Sequence, residues 1–271
     1  MARWLRMALL GALLVVAALA FGVMCRRMGV AYQFLLPPSR PFLRLLVLLW
    51  LSILAMAVAA GMVAVLFRPQ WAAYLAFALS GLALLAGWGW ALPHLALTML
   101  YVLAGALFAT LTQHDLRQRI RFSVRPVGEN WRLVMVVLLV AAVASFYLGF
   151  AEQVRRVGFP LPESQVTDLT TVLAGEVVDA TPLSGLELIR AESVRQMQRV
   201  LTHVLERQLR RVERYIPPLA AAALFVVLFA VLWLLWWVPM LALAVVFPLL
   251  TAFGVATRAV ETIEVQRLVI D

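Results

Sequence analysis

Long uncharged stretches alternate along this chain with short segments that carry Arg. Five runs contain no Asp, Glu or Arg: 7–25, 45–67, 69–113, 133–151 and 215–257. A hydrocarbon core about 30 Å thick takes roughly 20 helical residues per crossing. Three of the runs have the length of one crossing, and the runs 69–113 and 215–257 have the length of two. Backbone inside lipid must satisfy its own hydrogen bonds, so the pattern predicts helices throughout the spans.

Both long runs are interrupted near the middle. The first reads Trp88-Gly89-Trp90-Ala91-Leu92-Pro93-His94, and the second Trp236-Trp237-Val238-Pro239. Pro ends or kinks a helix, and Trp favours the membrane–water boundary. The two together predict a tight turn at the surface, hence two helical hairpins. A single long kinked helix at each place is the alternative. The hairpin reading gives seven crossings, at about 5–25, 43–67, 70–91, 93–113, 132–151, 217–237 and 239–257. Rows of small residues, Ala55-x3-Ala59, Ala72-x3-Ala76-x3-Ser80 and Gly105-x3-Ala109, suit close helix contact.

The chain outside the spans is concentrated in 152–216. Nine Arg and nine acidic residues make that segment net neutral. Gly158-Phe159-Pro160-Leu161-Pro162 is extended and helix-breaking. Val166, Leu169, Leu173, Val177 and Ala180 then recur on one helical face over 164–180. After Thr181-Pro182, Ser184-Gly185-Leu186-Glu187 has the form of a capping box, with Leu183 and Leu188 in the staple positions. The amphipathic helix it starts runs to Ile216 and stops at Pro217-Pro218. Val194, Met197, Leu201, Leu205, Leu209 and Val212 form its apolar stripe, a candidate partner-helix face. That stripe has three readings: packing on the 164–180 helix, self-association or docking of a partner helix, or lying on the bilayer surface. The tail 258–271 is rich in β-branched residues and reads as a short strand or as disorder.

Composition strengthens the membrane reading. The chain has 271 residues, of which 64% are apolar and only 14% charged, with a mean hydropathy of +0.95. A soluble fold cannot hide that much apolar surface. The formal charge is +9, and all 23 basic residues are Arg. These Arg flank apolar runs instead of forming one basic face, which argues against nucleic acid as a partner. The start Met1-Ala2-Arg3-Trp4-Leu5-Arg6 resembles a signal peptide, but the run after it lacks a small-x-small exit, so an uncleaved anchor is expected. The lone Cys25 follows a bulky Met24, which disfavours a lipoprotein cleavage site. Leaving out the long 152–216 segment, Arg counts of eight against six favour a cytoplasmic N-terminus, and including it reverses the order.

Candidate chemistry is sparse. No Asp, Glu or Arg stands at the centre of a predicted span, which weighs against ion-coupled transport. His94 follows Pro93 at a predicted turn and reads as an interfacial residue. In the loop after the fourth span, His114, Arg117 and Arg121 fall on one side of a helix, suited to a lipid headgroup phosphate. Asp115 and Arg119 form a separate i,i+4 pair. His203 and Glu206, three apart, are too few for a metal site. One cysteine excludes a thiolate cluster, and no phosphate loop, zinc-protease or serine-hydrolase motif is present. No catalytic residue, cofactor or metal is therefore assigned.

The expected fold is all-α, a polytopic membrane bundle of about seven helices with an extramembrane helical hairpin. Its expected regions are 1–151, with five crossings, the module 152–216, the hairpin 217–257 and the tail 258–271. The expected role is a non-enzymatic scaffold or assembly component in a prokaryotic cytoplasmic membrane, contacting lipid and a partner or second copy through 184–216. An uncoupled transporter or channel for an apolar or lipid substrate is the alternative, and a lipid-modifying enzyme using His114 and Asp115 the third. Seven crossings predict that single cysteines introduced at Ser123 and Ser164, in a Cys25→Ala background, react with impermeant reagents from opposite sides of the membrane. Labelling from the same side would remove the crossing between them.

Overall fold

The computed structural model describes residues 3–31, 40–67, 69–118, 125–157, 215–235 and 237–252. All of its regular elements are helical, and the fold is an all-α polytopic membrane protein. The helices are α1 (Arg3–Met28), α2 (Arg40–Leu66), α3 (Gln70–Trp88), α4 (Leu92–Gln118), the short α5 (Arg125–Asn130), α6 (Arg132–Val157), α7 (Ile216–Leu235) and α8 (Val238–Ala252). Six of them, all but α5 and α8, are long and apolar enough to cross a membrane. The seventh expected crossing corresponds to α8, whose 15 described residues rise about 22 Å. Of the expected extramembrane module, 152–157 belong to α6 and 215–216 stand at the start of α7; residues 158–214, with the partner-face residues, and the tail lie outside the described residues.

The run 69–113 is two helices, broken at Gly89–Ala91, and in the run 215–257 one helix ends at Leu235 and the next begins at Val238. Gly89 has φ +124°, a conformation that side chains rarely adopt, so glycine is what lets the chain turn there. Its amide closes the last turn of α3 on the Leu85 carbonyl at 2.7 Å. At the second break, Pro239 sits in the first turn of α8, where its missing N–H costs no helical bond. Pro217 and Pro218 occupy the same place in α7, so the prolines expected to stop one helix stand at the start of the next.

Four helices overrun the uncharged stretches that predict them: α1 takes in Arg3, Arg6, Arg26 and Arg27, and α2 begins at Arg40. The fourth span continues to Gln118 and the fifth to Val157. Loss of apolar residues marks where lipid ends, whereas a helix ends where its hydrogen bonding ends. In α6 the overrun is supported by an i,i+4 pair, Glu152 accepting from Arg156 Nε at 2.6 Å. Arg155 and Arg156 also suit the negative end of the helix dipole.

The chain packs as two units. The first comprises α1 as far as Gly22, α2 from Leu51, α3, α4, α5, α6 as far as Leu138, the end of α7 from Leu232, and α8. Its centre is the antiparallel pair α3–α4. Gly105 admits the Phe77 ring so closely that a Cβ there would stand 2.7 Å from Phe77 Cγ. A Cβ on Gly81 would meet Val102 Cγ2 at 2.6 Å. Gly22 of α1 lies on the backbone of α3, where a side chain would collide with the Leu84 carbonyl oxygen. Of the small-residue rows, Ala72, Ala76, Ser80, Gly105 and Ala109 are buried as expected. Ala55 is exposed, so the Ala55–Ala59 row is not a contact stripe; the buried face of α2 is offset to Met56, Ala59, Ala60 and Val63.

The second unit holds the end of α1 from Val23, α2 as far as Trp50, α6 from Leu139 and α7 as far as Val231. Here α1 meets α6 over small residues. Gly149 lies against Gly29, and any Cβ on it would overlap the Gly29 carbonyl oxygen. One turn earlier Cys25 is fully buried and hydrogen-bonds to Ser145, whose own hydroxyl donates to the Ala141 carbonyl at 2.7 Å. Cys25 is thus a packing residue within α1.

Candidate functional site

Polar side chains in the first unit gather at two places, along the α3–α4 seam and at the end of α4. On the seam, Ser80 Oγ donates to the Phe77 carbonyl at 2.8 Å and lies 3.0 Å from Tyr101 Oη. A serine hydroxyl has one proton, so Tyr101 is the donor to Ser80. The rim repeats the arrangement with the helices exchanged: Thr110 Oγ1 donates to the Ala106 carbonyl at 2.8 Å and accepts from Tyr74 Oη at 2.9 Å. Each tyrosine therefore crosses to a hydroxyl that is already bound to its own helix. Phe77 meets Tyr101 edge-on, with ring centroids 6.1 Å apart.

The turn between these helices is closed by a second ring contact. His94 stacks on the buried Trp88 with centroids 4.4 Å apart and planes 19° apart. Its Nδ1 is 3.3 Å from the Gly89 carbonyl oxygen. A carbonyl only accepts, so the proton of this bond is on Nδ1. His94 thereby holds the turn it was expected to border.

The end of α4 is the densest polar region. Gln113 is buried, and its Nε2 donates to the carbonyls of Ala64 at 3.2 Å and Phe67 at 3.1 Å. The last carbonyls of any helix have no partner within it. Gln113 supplies one from a neighbouring helix, where α2 ends. His114 is exposed. Asp115, half-buried, turns the other way, and its Oδ2 accepts from Asn130 Nδ2 at 2.7 Å. That bond ties α5 to α4. Val127 and Trp131 are buried beside it, and Gly128 seats the side chain of Met240 from α8.

The expected headgroup residues are placed only in part. His114 is on the exposed side of α4, Arg117 lies within α4 by its backbone, and Arg121 lies outside the described residues. Asp115, expected to pair with Arg119, is bonded to Asn130, and Arg119 lies outside the described residues. The arrangement has the chemistry of a structural joint: amide donors on helix-end carbonyls and on a carboxylate. Among the described residues no three His, Cys, Asp or Glu side chains converge as metal ligands would. Sequence reasoning missed Gln113, Asn130 and both tyrosine pairs because it weighed charges within apolar runs. Uncharged polar residues within the apolar runs were the signal, since a polar group away from water gains most from a partner.

No protein-family model, curated protein or solved structure matches this chain.

Two neighbours on α4 give opposite expectations. Gln113→Leu strips two helix-end carbonyls of their donor and is expected to cost about 1–3 kcal/mol. Thr112 Oγ1 is buried with no hydrogen-bond partner among the described residues. Thr112→Val removes a buried hydroxyl that nothing satisfies, so it is expected to be neutral or stabilising. Reversible unfolding in detergent, read by circular dichroism, measures both.

Proposed function

We propose that this multi-pass membrane protein is a non-enzymatic scaffold or assembly component that presents its extramembrane segment to a partner or to a second copy of itself. The observation that carries this reading is the uneven burial of the spans. In α7 only 22% of the apolar window is buried, against 39% to 56% in the other five. Residue 216, where the amphipathic pattern of 184–216 ends, is the first residue of α7. The least enclosed span is therefore joined directly to the segment whose sequence is patterned for helix pairing.

The interior of the hairpin fits a rigid support. Glycines against ring atoms and hydroxyls bonded across the seam hold α3 and α4 in one register. Asp115, which a lipid-modifying reaction would draw on, is engaged in tying α5 to α4. The protein is proposed to sit in a prokaryotic cytoplasmic membrane with its N-terminus cytoplasmic, as the Arg distribution of the short loops favours.

Affinity purification in mild detergent tests the role. The full chain is expected to co-purify with a second polypeptide or as a defined oligomer. A chain with 164–214 replaced by a short Gly/Ser linker is expected to lose that association and the cellular role together. A monomeric full chain whose role survives the deletion would remove the scaffold reading.

A further inference from the structure

The hairpin carries its own ruler for the bilayer. Trp71 is at the first turn of α3 and Trp90 just past its end, and both rings are exposed, at 55% and 72%. Between them lie 17 of the residues of α3, 72–88, which rise about 26 Å. That is close to the hydrocarbon thickness of a bilayer, about 30 Å. The outward positions between the two rings are apolar, among them Leu75, Leu79 and Leu82. Indole rings concentrate at the headgroup boundary, where an apolar body and a polar N–H are both accommodated.

The register of the hairpin carries the Trp71 level across to α4. Tyr74 meets Thr110, so Trp71, three residues earlier, stands level with about residue 113. Gln113 is the residue that caps the end of α2 through Ala64 and Phe67. A helix end needs capping most where water is no longer at hand, at the edge of the hydrocarbon. Two unrelated features thus mark one plane. His114, Asp115 and, through Asn130, α5 lie beyond it.

We propose that Trp71 and Trp90 are bilayer anchors that fix the hydrocarbon level on the α3–α4 hairpin, and that α4 from His114 onward, together with α5, occupies the lipid headgroup layer. The partner of this surface is the headgroup boundary itself, met by two indole rings and by the polar end of α4.

Spin labels test the levels directly. Single cysteines replace Trp71, Leu79, Leu82, Trp90 or His114 in a Cys25→Ala full-length chain reconstituted in phosphatidylcholine–phosphatidylglycerol vesicles. The collision ratio of oxygen to a water-soluble nickel complex is expected to peak at Leu79 and Leu82 and to fall towards both tryptophan positions. It is expected to be lowest at His114. A label at 71 or 90 as deep as that at Leu82, or a deep label at His114, would overturn the proposal. A second measurement keeps both indole positions aromatic. Lipids brominated near the headgroup end of the acyl chain are expected to quench the natural protein more than the Trp71→Phe/Trp90→Phe variant, with quenching by deeply brominated lipids unchanged. Loss confined to the deep bromines would equally overturn it.

Discussion

A peptide group in lipid has no water to bond, so every donor and acceptor must be met by the chain itself. Helices satisfy this in their interiors and fail at their ends, and the first unit of this protein is organised around those ends. The Ala64 carbonyl of α2 and the Phe67 carbonyl just past its end receive the Gln113 amide. The last turn of α3 closes through the Gly89 amide, and the Gly89 carbonyl in turn receives His94. Two hydroxyls of the seam obey the same rule, unlike those of Thr98 and Thr112, which have no partner among the described residues. Ser80 and Thr110 bond back to their own helices and still accept a tyrosine from across the seam. Polar groups that are a liability in lipid become the joints that fix which helices meet and in what register.

Between the joints, shape does the rest. Lipid gives helices no hydrophobic reason to associate, since acyl chains are as apolar as leucine. Association then depends on close contact, and glycine allows it where Phe77 enters at Gly105 and where α1 crosses α3 at Gly22. In the second unit the Gly29–Gly149 contact brings backbone to backbone in the same way. The large side chains turned outward are the other half of this arrangement: Leu75, Leu79 and Leu103 face the solvent that suits them.

Much of the fold was legible in the sequence because the bilayer sets one length scale. Uncharged runs of one or two crossings gave helices near their observed places, and Trp with Gly or Pro marked both interruptions. Helix ends were less legible: His114 to Gln118 and Glu152 to Val157 carry charged and polar residues yet are still helical. The six-residue α5 holds Pro126 and Gly128, both poor helix formers; it is secured by Asp115 and Met240, which come from elsewhere in the chain. The polar joints were invisible for a related reason. A lone Gln113 or Tyr101 carries no periodic signal, and its partner is defined only once two helices are placed side by side.

The register of α3 against α4 is where these arguments meet, and a disulfide measures it. Phe77 Cγ lies 2.7 Å from where a Cβ of residue 105 would stand, and Phe77 Cβ is the atom bonded to it. That separation is within reach of the Cβ–Cβ distance of a disulfide, about 3.8 Å. In membranes, a Phe77→Cys/Gly105→Cys chain lacking Cys25 should oxidise readily to an internal cross-link, while Leu79→Cys/Gly105→Cys, with residue 79 facing lipid, should not. Cross-linking of the second pair in preference to the first would contradict the register, and with it the hydroxyl pairs and the Gln113 cap placed on that seam.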